Sequence, residues 1–120
     1  MEKGSSRAGG VLVVEDDVLI AQWIVEELTE LGFEEVFLAH DLATGLEYAR
    51  TRPLLLAILD VNLGQELVYP VASALYSRGI PFFFSTALSG KDLPPQWSSH
   101  TVLSKPVDGR ILAQAISRLQ

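Results

Sequence analysis

Five short and mostly apolar runs recur along the chain, and each is followed by a segment with a different spacing of apolar residues. The runs cover residues 11–14, 36–39, 54–59, 81–84 and 101–103. Their lengths are typical of β-strands, and the unbroken apolar character of the first and third runs is typical of strands buried on both faces of a parallel sheet. The pattern therefore predicts five strands.

The intervening segments have the apolar spacing of amphipathic helices. Three of the predicted helices begin after an aspartate, a good N-cap residue, and one begins at a proline, which suits the first turn of a helix. Two of the helices are expected to end before a glycine. Four helices are predicted: one after Asp17 up to Gly32, one from Asp41 to Arg52, one from Pro70 to Gly79, and one from Asp108 to Leu119.

The segment from Ala87 to His100 lacks a helical pattern. It contains Gly90, Pro94 and Pro95, which break helices, together with several short polar side chains. We predict mostly loop there, with at most one helical turn, so that a fourth crossover helix is short or broken.

Alternating strands and helices predict a doubly wound α/β fold, a five-stranded parallel sheet with right-handed crossovers. The flavodoxin-like strand order 2-1-3-4-5 fits five such strands. With 120 residues there is room for one domain. We expect residues 1–10, which are Gly- and Ser-rich, to form a flexible leader, and residues 11–120 to form the domain.

Composition excludes several classes of function. Nine basic and fifteen acidic residues give a net charge of −6, which argues against direct binding to nucleic acid. The absence of cysteine excludes a disulfide framework, a thiol nucleophile and thiolate-held metals. No apolar run is long enough for a membrane span and no signal peptide is recognisable, so we expect a cytoplasmic protein with no membrane partner.

Polar side chains stand at the carboxyl ends of the predicted strands, where doubly wound folds bind their ligands. Glu15 and Asp16 follow the first strand, Asp60 ends the third, Thr86 ends the fourth and Lys105 follows the fifth. If the first and third strands are neighbours, three carboxylates converge.

Converging carboxylates repel one another unless a cation is supplied. Mg²⁺ suits such a site, because it prefers oxygen ligands and completes its shell with water and phosphate oxygens. With Mg²⁺ and Lys105 neutralising the oxygens of a phosphoryl group, Asp60 could attack phosphorus and form an acyl phosphate.

These residues resemble those of the receiver domain of bacterial two-component response regulators, over essentially all of residues 10–119. Each matching segment alone is weak evidence for the resemblance, but four of them in the right order, each at the end of a predicted strand, are strong evidence. The segments are Val13-Val14-Glu15-Asp16-Asp17, Leu59-Asp60-Val61-Asn62-Leu63, Thr86 with Ala87, and Lys105-Pro106.

The resemblance implies a role for each matched residue. Asp60 would be phosphorylated, and Glu15, Asp16 and Asp60 would hold Mg²⁺ together with the backbone carbonyl of Asn62. Thr86 would hydrogen-bond one phosphoryl oxygen, and Lys105 would pair with another. The donor would be the phosphohistidine of a sensor histidine kinase or a histidine phosphotransfer protein, and an output protein would read the signal. The chain would then be no enzyme beyond promoting its own phosphotransfer and slow dephosphorylation.

Two departures from the family pattern bear on output. Many receivers carry an aromatic switch residue three positions before the strand-five lysine, where this chain has Val102. The proline-broken segment before Lys105 is similar to an atypical receiver subgroup with a remodelled fourth-helix region. These departures concern the usual dimer face and output signal, and not the phosphorylation chemistry.

Two alternative functions stay open. An interaction module with a receiver fold could work without phosphorylation. A phosphohydrolase of the haloacid dehalogenase type would use Asp60 as its nucleophile, but such enzymes need an acid two residues later, where this chain has Asn62, and an amide cannot shuttle the proton. Among the other residues, His40 and His100 are predicted to lie at the surface, and Trp97 either folds over the sheet or anchors a partner.

Overall fold

A five-stranded parallel sheet forms the centre of the protein. The computed structural model describes residues 9–87, 93–105 and 107–119. The strands of this sheet are β1 (Gly10–Val14), β2 (Val36–Ala39), β3 (Leu54–Asp60), β6 (Phe82–Thr86) and β7 (Val102–Ser104). Their order in the sheet is β2-β1-β3-β6-β7, which is the predicted order 2-1-3-4-5 for these five strands. The doubly wound fold with flavodoxin-like order is therefore confirmed.

Within the described residues, four α-helices connect and cover the strands: α1 (Val18–Glu30), α2 (Leu42–Thr51), α3 (Tyr69–Ser77) and α4 (Gly109–Ser117). The three predicted aspartate caps are confirmed. Asp17 accepts from the N–H groups of Leu19 and Ile20, Asp41 from that of Thr44 and Asp108 from that of Ile111. No helix in the described parts of the chain is both long and apolar enough to cross a bilayer.

The sheet separates two hydrophobic cores. On one face α2, α3 and Trp97 pack over alternate strand residues such as Leu12 and Phe84. On the other face α1 and α4 pack over the intervening residues, among them Val13, Ile58 and Phe83. Because side chains alternate along a strand, this division also tells which face each strand-end residue belongs to.

Two local details differ from the prediction. Strand β1 begins one residue earlier, at Gly10, where a Cβ atom would lie 2.8 Å from both the Glu35 carbonyl oxygen and the Phe37 ring. After β3 the chain forms a small antiparallel hairpin of β4 (Asn62–Leu63) and β5 (Glu66–Leu67), two strands that were not predicted. Its turn residue Gly64 has a φ of +69°, a conformation that glycine adopts at little cost.

Between β6 and β7, residues 93–100 contain a 3-10 turn at Pro95–Trp97 rather than a long helix. Trp97 is buried against the rings of Phe82 and Phe84, so it folds over the sheet. His100, predicted to lie at the surface, is half-buried there: its ring stacks on that of Phe82 with 4.8 Å between the ring centroids. Residues 1–8 of the predicted leader, residues 88–92 of this segment and Pro106 lie outside the described residues.

Candidate functional site at the carboxyl edge of the sheet

Three carboxylates meet where β1 and β3 end. These strands are neighbours, with Val14 opposite Leu59, so Glu15 and Asp16 come directly beside Asp60. One carboxylate oxygen from each of the three lies within 4.8 Å of the others. Glu15 and Asp60 are 1% and 4% exposed, whereas Asp16 faces solvent. The cluster is thus buried at its base and open on one side.

Lys105, the residue after edge strand β7, supplies a positive charge to this cluster. Its Nζ lies 3.0 Å from Glu15 Oε1 and 3.2 Å from Asp60 Oδ1. The backbone N–H of Lys105 donates to the carbonyl oxygen of Thr86 at 3.1 Å, which fixes the start of the side chain against β6. The lysine therefore bridges two of the three carboxylates.

The environment of Asp60 disfavours its charged form. Burial is the main cause, and the hydrogen bond and negative charge of Glu15 add to it, so that the pKa of Asp60 rises from 3.8 to about 7. Lys105 opposes this rise only in part. For Lys105, burial alone would lower the pKa, but hydrogen bonds and charges from Glu15 and Asp60 outweigh it and the pKa is raised. Without another cation, the site holds more negative charge than Lys105 neutralises.

Backbone N–H groups donate to all three carboxylates. The N–H of Asp17 donates to Glu15 Oε2 at 3.1 Å, that of Gly64 to Asp16 Oδ2 at 3.1 Å, and that of Asn62 to Asp60 Oδ1 at 3.3 Å. The last two donors belong to the hairpin and its turn, which therefore borders the site. Asn62 adjoins Asp60 in the structure, and the use of its carbonyl as a ligand stays a prediction.

Thr86 ends β6 at the same edge of the sheet. The residue opposite Asp60 on β6 is Ser85, which puts Thr86 one position further toward the carboxyl edge. Thr86 is 3% exposed and holds Lys105 through its carbonyl oxygen. The structure thus brings Glu15, Asp16, Asp60 and Lys105 into one cluster and places Thr86 on the strand beside it.

His40 is a neighbour of the site that sequence reasoning missed. Its Nδ1 lies 3.0 Å from the carbonyl oxygen of Glu15, and the N–H of Glu15 donates to the carbonyl of Ala39 at 2.9 Å. His40 and Ala39 therefore hold the backbone of the first carboxylate. The available signal was positional, because His40 follows β2 and β2 pairs with β1.

The donor set fits a hard divalent cation. Carboxylate oxygens are the ligands that Mg²⁺ prefers, and it commonly retains several waters, for which the solvent side of Asp16 leaves room. Burial, and then the hydrogen bond and negative charge of Glu15, raise the pKa of Asp60 even though Lys105 lies beside it. A divalent cation would offset both the burial of these charges and their mutual repulsion.

Comparison with known proteins gives a consistent set of relatives among solved structures. SdrG, a single-domain response regulator from Sphingomonas melonis Fr1, is 36% identical, with a TM-score of 0.81 over 92% of this chain and 94% of that chain. The BeF3-activated conformation of SdrG from Pseudomonas melonis Fr1 is also 36% identical, with a TM-score of 0.77 over the same shares. No family model and no curated protein matches the chain.

More distant structures share the fold. Vibrio cholerae chemotaxis protein CheY4 is 23% identical, with a TM-score of 0.80 over 95% of this chain and 100% of that chain. A CheY-like response regulator receiver domain from Methanospirillum hungatei JF-1 is 24% identical, with a TM-score of 0.78 over 91% and 90%.

Proposed function

The chain belongs to the receiver-domain family of two-component response regulators, and we propose that it accepts a phosphoryl group on Asp60 and signals through contacts with other proteins. One observation carries the proposal. The buried carboxylate of Asp60 lies beside two further carboxylates and 3.2 Å from the ammonium of Lys105, at the ligand-binding edge of a doubly wound sheet.

In the proposed reaction, an Asp60 carboxylate oxygen attacks the phosphorus of a phosphohistidine. The new O–P bond makes an acyl phosphate, and the P–N bond breaks and releases the imidazole of the donor. The donor is the phosphohistidine of a sensor histidine kinase or of a histidine phosphotransfer protein. After transfer, the chain itself promotes only slow hydrolysis of the acyl phosphate.

Charge neutralisation is the main task of the surrounding residues. Glu15, Asp16, Asp60 and the carbonyl of Asn62 would hold Mg²⁺, which supplies positive charge to the phosphoryl oxygens when bound. Lys105 pairs with one phosphoryl oxygen, and the Thr86 hydroxyl donates to another. The BeF3-activated conformation of SdrG supports this proposal, because that relative responds to a compound of the same geometry as a phosphoryl group.

Phosphorylation of the purified chain tests the proposal. Incubation with Mg²⁺ and a histidine-phosphorylated donor or acetyl phosphate is expected to add one phosphoryl group, measured by intact-protein mass spectrometry. Asp60→Asn should add none, because an amide is not a nucleophile of this kind. Asp108→Asn is the matched control: it removes a carboxylate outside the cluster and should be labelled like the wild type. Equal labelling of Asp60→Asn would contradict the assignment.

Val102 favours a second candidate, an interaction module that does not need phosphorylation. The usual aromatic switch is absent at this position, and Val102 is only partly buried at the edge of the sheet. If a partner binds the chain with the same affinity before and after addition of beryllofluoride with Mg²⁺, this second function holds; a large change in affinity supports phosphorylation-dependent signalling.

A further inference from the structure

Ser85 is a buried polar residue beside Asp60, and the proposed reaction gives it no role. It lies on β6, directly opposite Asp60 of β3 on one side and Leu103 of β7 on the other. Ser85 comes two residues after Phe83, and Asp60 comes two residues after Ile58, both of which pack in the core under α1 and α4. Strand alternation therefore directs the side chains of Ser85 and Asp60 to the same face of the sheet.

The hydroxyl of Ser85 is buried without a partner. The residue is 1% exposed, and its Oγ has no hydrogen-bond partner among the residues that the structure describes. A buried polar group left unpaired destabilises the fold, and an alanine would occupy nearly the same space without that cost. The hydroxyl is thus expected to find its partner in another state of the site.

Lys105 is the group in position to provide that partner. It follows β7, yet its Nζ lies 3.2 Å from Asp60 on β3. Because β6 lies between those two strands, the lysine side chain crosses the carboxyl end of β6, where Ser85 lies. An ammonium has three N–H donors, so its ion pairs with Glu15 and Asp60 leave at least one donor for another acceptor.

Loading of the site changes what Lys105 can bind. In the proposed function, Glu15 is one of the carboxylates that hold the cation, so its oxygen is no longer fully available to the lysine. The ammonium then turns toward the phosphoryl group on Asp60 and has a free donor. A serine hydroxyl on the strand that the lysine crosses can accept it.

We propose that Ser85 is a positioning residue whose hydroxyl accepts a hydrogen bond from the Lys105 ammonium when Asp60 carries a phosphoryl group. This inference rests on the proposed function. It assigns to Ser85 the task of holding the lysine on the phosphoryl oxygen, and it gives a role to a buried hydroxyl that lacks a hydrogen-bond partner among the described residues.

The test compares wild type with Ser85→Ala, and uses Ser104→Ala, an exposed hydroxyl on the neighbouring strand, as the control. Without beryllofluoride, Ser85→Ala should melt at the same temperature as the wild type or higher. With Mg²⁺, its affinity for beryllofluoride should fall about tenfold, the size expected for loss of one hydrogen bond to a charged group. Ser104→Ala should change neither value.

A nuclear magnetic resonance measurement separates positioning from packing. The side-chain nitrogen signal of Lys105 should differ between wild type and Ser85→Ala only in the beryllofluoride-loaded protein. Unchanged affinity in Ser85→Ala overturns the inference while leaving the proposed function intact, and so does a loss of affinity accompanied by a lower melting temperature. Failure of the wild type itself to bind beryllofluoride overturns the proposed function.

Discussion

At the scale of single residues, the burial of the Asp60 carboxylate favours the proposed function but opposes stability. Its pKa is raised to about 7, chiefly by burial and then by Glu15. An acid whose pKa rises on folding holds its proton more tightly in the folded chain. The stability contributed by this tightly held proton is fully present below the pKa of the unfolded chain, near 3.8, and is lost as the pH rises through about 7.

Replacement of Asp60 by asparagine should therefore stabilise the folded, metal-free protein more at high pH than at low pH. In the presence of a chelator, we expect the melting temperature of Asp60→Asn minus that of the wild type to be larger near pH 8 than near pH 5. Thermal melts followed by circular dichroism measure this difference. Asp108→Asn, which retains a good cap, should show a much smaller dependence on pH. A difference for Asp60→Asn that is the same at both pH values would contradict the raised pKa.

The site carboxylates were predictable from sequence because each follows a recognisable apolar run. Strand ends in a doubly wound fold converge, so the position of Asp60 along the chain already implied its neighbours. Ser85 and His100 were not predictable in this way. The ring contacts of half-buried His100 depend on Phe82 and Trp97, which come together only through packing, and the significance of Ser85 depends on its register with Asp60.

At the scale of elements, helix α1 begins beside the site but should be separable from it. Asp17 accepts two backbone N–H groups as the N-cap and is not part of the carboxylate cluster. We expect Asp17→Ala to lower the free energy of unfolding by about 1 kcal/mol, the usual cost of losing a cap. Asp17→Asn should restore most of it.

The affinity for Mg²⁺ separates these two roles. Urea denaturation gives the stability of both Asp17 variants, and titration calorimetry gives their Mg²⁺ affinity, which should stay within about twofold of the wild type after allowance for the lost charge. A loss of Mg²⁺ binding in Asp17→Asn as large as that in Asp60→Asn would show that Asp17 is a ligand.

The segment 93–100 is the element most suited to report activation. Trp97 is 5% exposed and packs on Phe82 and Phe84, in the strand that ends at Thr86. In a Trp23→Phe background, which leaves Trp97 as the single tryptophan, beryllofluoride with Mg²⁺ should change the emission of Trp97. The same variant with Asp60→Asn should show no change. Unaltered emission in the first variant would mean that the signal leaves the site by another route.

Local signals explain which elements the sequence predicts well. Strands with unbroken apolar runs and helices with aspartate caps depend on neighbouring residues, and their bounds agree within one or two positions. The hairpin at 62–67 was missed because strands of two residues carry no periodic pattern. The extension of β1 to Gly10 was missed because glycine favours loops, whereas here the close approach of Glu35 requires it.

At the scale of the whole molecule, the cluster exists only when the sheet is assembled. Its members come from the ends of β1 and β3 and from the residue after β7, which are distant in sequence. A ligand that binds only this arrangement favours the folded state. Mg²⁺ at about five times its dissociation constant should stabilise the protein by about 1 kcal/mol.

This stabilisation should raise the melting temperature by roughly 4 °C for a domain of this size. Differential scanning fluorimetry with increasing MgCl₂ measures the shift, and NaCl at the same ionic strength controls for screening. Asp60→Asn should shift by much less, because one ligand is gone. An equal shift in NaCl, or no shift in the wild type, would argue against the cation site.

The hydrogen bond from the Gly64 N–H to Asp16 Oδ2 ties the hairpin to the solvent-facing carboxylate of the cluster. A cation that draws electron density from this oxygen, or turns it away, competes with that N–H. The amide proton of Gly64 should then exchange with deuterium faster when the ion is present, against the general slowing expected of a stabilised fold. One backbone proton on the rim would thus record whether the acidic edge is filled.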